Sequence, residues 1–132
     1  MAFLDWNDKY KIGVAEMDEQ HKKWLSFLNA FYDNLDKGPI TDKLKTLLDE
    51  AIDYTLYHFS EEEKYMTSIH YPKLKDQQAK HAEIREKLES YRQKMNDGKL
   101  VISTTVTTEM KKWFNEHILT DDKAYGEFGK HP

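Results

Sequence analysis

Apolar residues recur at alternating spacings of three and four along four segments of the chain, which is the period of an amphipathic α-helix. Turn-forming residues separate these segments at Gly38-Pro39, Tyr71-Pro72 and Asn96-Asp97-Gly98. The pattern predicts helices over about residues 18–37, 41–66, 74–95 and 104–119. Asp18 is the predicted N-cap of the first helix. Residues 1–17 are predicted to form an extended arm, and a short polar tail follows the fourth helix.

Short connections between helices of this length favour antiparallel neighbours. We therefore predict an all-α protein, an up-down-up-down four-helix bundle with an N-terminal arm. The chain has 132 residues, which fits one domain over residues 1–132 with one hydrophobic core. It contains no interdomain linker and no internal repeat at the period of a solenoid.

The inward stripe of each predicted helix is apolar along most of its length and becomes polar at one end. In an antiparallel bundle, the starts of helices one and three lie level with the ends of helices two and four. The polar stripe positions therefore meet in one layer, which holds His21, His58, Glu62, Gln77, His81 and His117, with Asp122 close by in sequence. A single histidine on such a face is more often a hydrogen-bonded core residue than a ligand, whereas seven polar residues need a common explanation.

Burial of this layer without partners is energetically costly. Each unpaired polar group costs about 1–3 kcal/mol, so the seven together cost on the order of 10 kcal/mol, comparable with the ~5–15 kcal/mol stability of a whole domain. A hydrogen-bonded network offsets part of this cost. A metal site explains more simply why four imidazoles and two carboxylates converge from four helices.

The spacings suit metal ligation. His58 and Glu62 are four residues apart, so both side chains face the same side of a helix one turn from each other. His117 and Asp122 are five apart, so we expect the chain to leave helical geometry after Leu119 for Asp122 to turn inward.

The number of donors points to two metal ions. Four nitrogens and two carboxylates exceed the protein ligands that one six-coordinate ion usually takes, and carboxylates can bridge. Imidazole with carboxylate suits iron, zinc, manganese, cobalt or nickel, and the spacing does not choose among them.

Composition narrows the function classes further. The chain has no Cys, which excludes thiolate zinc sites, iron–sulfur clusters and a cysteine nucleophile. A net charge of −4 with interleaved acidic and basic residues argues against nucleic-acid binding. No apolar run approaches the ~18 residues of a membrane span, and the first residues do not form a secretory signal. A cytoplasmic protein without a membrane partner is therefore expected.

Longer motifs extend over nearly the whole chain. They are Trp6 with Ile12-Gly13-Val14 through Asp18-Glu19-Gln20-His21, then His58-Phe59-Ser60-Glu61-Glu62, then Tyr71-Pro72, and finally Trp113, His117-Ile118, Asp122 and Tyr125. With these motifs the chain resembles the bacteriohemerythrins, single-domain non-haem di-iron proteins that bind oxygen. A set of motifs of this length is far more specific than a single short one.

The resemblance implies two iron ions that cycle between Fe²⁺ and Fe³⁺ and are bridged by an oxo or hydroxo group. Glu62 and Asp122 are the implied bridging carboxylates. His21 and His58 are implied to hold the iron that keeps an open position for dioxygen. The remaining implied ligands, on the second iron, are His81 and His117.

Gln77 departs from the family pattern. The family supplies a third histidine to the second iron, four residues before His81, where this chain has Gln77. Its amide oxygen is a weaker, neutral donor than imidazole, so Gln77 either binds the iron or stands off and leaves a water or a second open position. His70 is a poor substitute because Tyr71-Pro72 separates it from the third helix, and His131 is expected at the surface.

The altered ligand set has two expected consequences. The second iron should be held less tightly, because metal binding and folding are linked. Its chemistry should shift from reversible oxygen carriage toward oxidation, peroxide reactions or anion binding.

Large apolar residues surround His117 in the sequence. By resemblance Trp113, Phe114 and Ile118 line the dioxygen pocket, and as large groups near a helix end they equally suit a plain core. Trp24 is expected to serve packing, and Glu61 and Glu63 are expected on a solvated face.

The implied function is reversible dioxygen binding for storage, delivery or scavenging, with no enzymatic turnover required. Two alternatives stay open. One is the input domain of a sensor of oxygen, nitric oxide or redox state. The other is a di-iron site with weak peroxidase or oxidase activity owing to Gln77. Nitric oxide, peroxide and small anions are the further ligands that these alternatives allow.

Overall fold

Helices dominate the computed structural model, which describes residues 5–34, 42–98 and 104–130, the last range without the side chains of residues 104–107. Four main helices run α1 Ala15–Asp33, α2 Asp42–Ser68, α3 Leu74–Asn96 and α4 Thr104–Glu116. A π-helical turn, His117–Asp122, continues α4 into α5, Lys123–Lys130. The described ranges contain no strand, and the predicted all-α four-helix bundle is confirmed.

The hydrophobic core follows the predicted inward stripes. On α2, Leu44, Leu48 and Ala51 are buried, and α2 packs against both α1 and α3. Trp24 on α1 and Phe114 on α4 have ring centroids 4.9 Å apart, which joins the first helix to the fourth. Some predicted positions lie outside the described side chains. They are Leu35 and Val106, which the helical period also places on the inward stripes, and the predicted stop and start residues Lys37, Gly38, Pro39 and Thr41.

The first helix begins earlier than the sequence predicts. α1 starts at Ala15, and the N-cap residue Val14 makes no side-chain capping bond. Asp18 is not the N-cap: it lies in the first turn of α1, where its Oδ1 accepts a hydrogen bond from the backbone N–H of Ile12 at 2.8 Å. Asp near a helix start commonly accepts a hydrogen bond from a free backbone N–H. Here that N–H belongs to Ile12 in the preceding arm, where it needs an acceptor because it is buried.

The arm is also more structured than predicted. Residues Asp8–Tyr10 form a 3₁₀ turn, and the Asn7 side chain accepts a hydrogen bond from the backbone N–H of Lys9 at 2.9 Å. Tyr10 and Ile12 are buried, and the Tyr10 hydroxyl donates to Asn115 of α4. The arm is therefore held against the bundle by two buried side chains.

The segment after the fourth helix is not the predicted polar tail. Residues 123–130 form α5, in which Tyr125 and Gly126 are buried. An added Cβ at Gly126 would lie 2.2 Å from the carbonyl oxygen of Ile12, so the arm and α5 approach too closely for a side chain there. Two glycines weaken the helical signal of this segment, and contact with the arm outweighs that weak propensity.

No described helix combines the length and the apolar character that a membrane span requires.

Candidate metal centre

The predicted polar layer forms at one end of the bundle. All seven of its residues are buried, and Gln77, with 3% of its surface exposed, is the most accessible. They are His21 on α1, His58 and Glu62 on α2, Gln77 and His81 on α3, and His117 and Asp122 on the π-helical turn. Four separate parts of the chain thus meet around one point.

The first donor group consists of His21, His58, Glu62 and Asp122, whose ligand atoms all lie within 4.8 Å of one another. His21 Nε2 lies 3.2 Å from Asp122 Oδ2, and His58 Nε2 lies 3.2 Å from Glu62 Oε1. Ligands about 2.1 Å from one ion at right angles lie about 3 Å apart. The group therefore has the spacing of a cation site.

The second donor group consists of Glu62, His81 and His117. His81 Nε2 lies 3.4 Å from Glu62 Oε1 and 3.2 Å from His117 Nε2. Asp122 also approaches this group, with Oδ1 3.2 Å from His117 Nε2. Because Asp122 presents one oxygen to each group and Glu62 belongs to both, the two carboxylates lie between the two donor groups.

Buried polar atoms without partners show that the cluster fits a metal better than a closed hydrogen-bond network. Of the eight such atoms in the described residues, six belong to the cluster: His21 Nδ1 and Nε2, His58 Nε2, Glu62 Oε1, Gln77 Oε1 and Asp122 Oδ2. Several lie 3.2–3.6 Å from an opposite partner without the alignment of a hydrogen bond. Buried polar groups are normally satisfied, and nitrogen and carboxylate oxygen lone pairs suit a transition-metal ion.

The π-helical turn explains how His117 and Asp122 reach the same cluster. Hydrogen bonding from residue i to residue i+5 widens the turn, so residues five apart lie about one turn from each other on one face. The expectation that the chain leaves helical geometry after Leu119 is wrong. The chain stays helical, and the change from α-helical to π-helical hydrogen bonding begins at His117.

The carboxylates and imidazoles of the cluster shift one another's pKa values. Burial alone lowers the pKa of His21, but the nearby carboxylates of Asp122 and Glu62 outweigh burial and raise that pKa to about 9. Burial lowers the pKa of His58. The pKa of Asp122 is raised by burial and by the charge of Glu62. A protonated imidazole thus compensates the negative charge of the carboxylates, as a bound cation would. Metal binding would release the proton from that imidazole.

A second layer of side chains holds the far nitrogens of three histidines. The Nδ1 atoms of His58, His81 and His117 contact an acceptor oxygen at 2.7, 2.9 and 3.0 Å. The acceptors are Gln20 for His58, Glu63 for His81 and Asp121 for His117. Such contacts fix the tautomer and the orientation of a ligating imidazole and raise its basicity.

Sequence reasoning missed these acceptors. Glu63 was expected on a solvated face, but its carboxylate contacts buried His81 and is only one-quarter exposed. The missed signal is local in two cases: Glu63 follows Glu62 directly, and Asp121 lies four residues after His117. Gln20 is different because it comes from α1 and meets a histidine of α2, a contact that only packing creates.

Tyr125 is a further contact of the cluster. Its hydroxyl donates to Glu62 Oε2 at 2.5 Å, and the Tyr125 side chain is fully buried. The bond holds the carboxylate that the two donor groups share. It requires α5, the helix that the sequence pattern did not predict.

An apolar cavity of about 60 Å³ lies beside the cluster, lined by residues of α1 to α4 that include Trp24, Leu28, Trp113 and Phe114. Trp113 stacks on His117 at 4.7 Å between ring centroids, and Trp24 lies 5.5 Å from His58. Trp113 and Phe114 line this cavity, and their role in a dioxygen pocket stays a prediction. Ile118 is buried but does not line this cavity, and Trp24, expected only to pack, does line it.

Gln77 meets the cluster through its amide nitrogen, which donates to Asp122 Oδ1 at 3.3 Å. It also lines a polar surface cleft of about 220 Å³, termed here the Gln77 cleft, formed by Tyr71, Lys73, Asp76, Gln77, Lys80, Thr120, Asp121 and Ala124. His70 is exposed in the turn after α2 with a φ of 55° and belongs to neither donor group. His131 lies outside the described residues.

A bundle of four helices with two buried donor groups sharing a carboxylate defines a class of cation-binding proteins, and comparison with known families agrees. The model of the hemerythrin HHE cation binding domain matches residues 12–128. Because this match covers most of the chain, the chain belongs to the hemerythrin family.

Individual relatives support this assignment. A bacteriohemerythrin of Clostridium acetobutylicum is 32% identical over 129 residues, with 91% of this chain and 96% of the relative covered. A bacteriohemerythrin of Stenotrophomonas maltophilia is 29% identical over 130 residues, covering 96% of this chain and 82% of the relative. The solved structure of a wild-type hemerythrin superposes with a TM-score of 0.89 at 26% identity, covering 96% of this chain and 97% of that one.

Proposed function

We propose that this protein holds two iron ions in the two donor groups and binds dioxygen reversibly. The observation that carries the proposal is the set of buried, unpartnered nitrogen and oxygen atoms contributed by four parts of the chain. In the proposed assignment His21 and His58 serve one ion, His81 and His117 serve the other, and Glu62 and Asp122 bridge them.

Ferrous iron, when bound, supplies the electrons that hold dioxygen reversibly. The protein's own contribution is to position the donors and to bury them. His58 and His81 are oriented through their Nδ1 atoms by Gln20 and Glu63, and Tyr125 holds Glu62. Little reorganisation is then required when a ligand arrives.

The apolar cavity supports dioxygen as the ligand. Dioxygen is small and apolar, and Trp24, Trp113 and Phe114 give the cavity apolar aromatic walls. Exclusion of water limits side reactions of a reactive ligand. We propose carriage rather than catalysis, because the apolar cavity of about 60 Å³ suits a ligand as small as dioxygen.

The proposal is tested by isolating the protein without chelators, counting iron by elemental analysis and recording absorption spectra through cycles of air and argon. Two irons per chain and a spectrum that reverses over repeated cycles are expected. His58→Ala should lose iron and the reversible change, whereas His70→Asn, which replaces an exposed histidine outside both donor groups, should keep both. A wild-type protein without iron and without a reversible spectrum would reject the proposal.

A further inference from the structure

Gln77 lines a polar cleft, and its buried side-chain oxygen accepts no hydrogen bond within the described ranges. Only 3% of Gln77 is exposed, and its Oε1 has no hydrogen-bond partner among the described residues. The nitrogen of the same amide donates to Asp122 Oδ1. Because a carboxylate oxygen accepts and the amide nitrogen donates, this bond sets which end of the amide faces Asp122 and leaves Oε1 free for a donor.

The second donor group offers a cation four protein donors. They are Glu62, His81 and His117, with Asp122 Oδ1 3.2 Å from His117 Nε2. Gln77 precedes His81 by four residues on α3 and so faces the same side of the helix. A six-coordinate cation in this group would need further ligands, and Gln77 lies on the side of His81.

The Gln77 cleft differs in chemistry from the apolar cavity. Charged and hydroxyl side chains form most of its lining, including Asp76, Lys80 and Thr120, and its volume is about 220 Å³. An ordered water needs two to four polar partners and a space of at least about one probe sphere, ~10–15 Å³. The cleft meets both conditions, so polar molecules of water size can reach Gln77 from bulk solvent.

We propose that the second cation position takes a small ligand bearing an O–H group, water in the resting protein, which donates to Gln77 Oε1 and exchanges with solvent through the Gln77 cleft. The inference rests on the proposed metal centre and adds a second ligand position with its own entrance. The ligand class is water or hydrogen peroxide, which carry the hydrogen that Oε1 requires. Dioxygen carries none and suits the apolar cavity.

The experiment loads wild type and Gln77→His with Mn²⁺, counts bound metal by elemental analysis, and counts coordinated ¹⁷O-labelled waters by electron–nuclear double resonance. With two ions in each protein, wild type should hold one more exchangeable water per chain than Gln77→His, whose imidazole fills the position. Gln93→His is the matched control, because it makes the same change at an exposed position near the other end of α3, and it should keep the wild-type count.

The entrance is tested by a second pair of variants. Ala124 lines the cleft and is exposed, so Ala124→Trp should slow exchange of the labelled water without changing the number of ions. Ala82→Trp, at an exposed position of α3 outside the cleft, should leave the exchange rate unchanged.

The outcomes separate this inference from the metal centre itself. Equal water counts in wild type and Gln77→His, with two ions in both, would overturn the inference, because Gln77 Oε1 itself would then be the ligand. One ion in wild type and two in Gln77→His would also overturn the inference. The two-metal centre would then require an imidazole at residue 77, as the family pattern has it. Failure of both proteins to bind metal would reject the centre and the inference together.

Discussion

At the scale of single residues, the centre depends on side chains that touch the donors as much as on the donors. The Nδ1 atom of His58 meets the neutral amide oxygen of Gln20, whereas His81 and His117 each meet a carboxylate, Glu63 or Asp121. An imidazole whose Nδ1–H is bonded to a carboxylate is a stronger metal ligand than one bonded to an amide oxygen. The two outer carboxylates thus support the donor group that has Gln77 in place of an imidazole.

Removing either outer carboxylate should weaken metal binding. Glu63→Gln and Asp121→Asn are each expected to lower affinity for the second ion by about 10–100-fold, because the imidazole loses its anionic partner. Titration against a chromogenic chelator gives the affinity of each ion. Glu61→Gln is the matched control on α2, where Glu61 pairs with Lys64 at 3.6 Å rather than with a histidine. Affinity equal to wild type in both variants would contradict the assigned role.

Tyr125 makes a second prediction at this scale. Tyr125→Phe removes the donor to Glu62 Oε2 and keeps the packing of the ring. A hydrogen bond to a charged group contributes about 1.5–3 kcal/mol, so the metal-free variant should unfold at lower urea concentration. Tyr65→Phe, a half-buried tyrosine whose ring lies 5.7 Å from that of Tyr125, is the control and should lose less. Coincident unfolding curves for Tyr125→Phe and wild type would argue against the bond.

At the scale of elements, two features build the end of the bundle that holds the donors. The π-helical turn brings His117 and Asp122 to one face, and α5 then brings Tyr125 back onto Glu62. The arm covers α5 through the close approach of Ile12 to Gly126. Arm, π-helical turn and α5 therefore act as one structural unit behind the cluster.

This unit predicts a position-dependent response to alanine. In Gly126→Ala the new Cβ would lie 2.2 Å from a backbone oxygen, so we expect a loss of about 1–3 kcal/mol in the free energy of unfolding, as for other overpacked sites. Gly129→Ala, in the same helix, meets the hydroxyl tip of Tyr65, which can move, and should change stability by less than about 1 kcal/mol. Urea unfolding of both variants is the measurement. Equal stability of the two would show that the arm does not pack against α5 in solution.

At the scale of the whole molecule, folding and metal binding are linked. The folded chain assembles donors from α1, α2, α3 and the π-helical turn, and an unfolded chain cannot hold them together. Burial of unpartnered donors opposes folding in the metal-free state. Metal binding removes that penalty and therefore stabilises the whole bundle.

Metal loading should raise the melting temperature, and a chelator should reverse the rise. At a free metal concentration of 100 times Kd the gain is about 2.7 kcal/mol. His21→Ala removes a donor of the first group and should reduce the gain, whereas His70→Asn should retain it. Calorimetry of each protein with and without metal tests this, and an equal gain in His21→Ala would place the metal elsewhere.

Most of the fold and most of the proposed donors follow from the sequence alone. The helical period predicted four helices. The polar ends of their stripes indicated the candidate donors His21, His58, Glu62, Gln77, His81 and His117. This succeeds because a helix fixes which side chains share a face, and because burying a layer of polar groups requires a chemical reason. The absence of Cys from the sequence limited the donors to nitrogen and oxygen.

Tertiary structure decided the rest. Whether Asp18 caps a helix or bonds to Ile12, six residues earlier, depends on the conformation of the arm. Residues 123–130 form a helix that contacts the arm, which is distant in sequence. The pairing of Gln20 with His58 and the two cavities, one apolar and one polar, exist only where different helices meet. Periodicity specifies the face of each helix, but packing specifies which atoms on those faces touch.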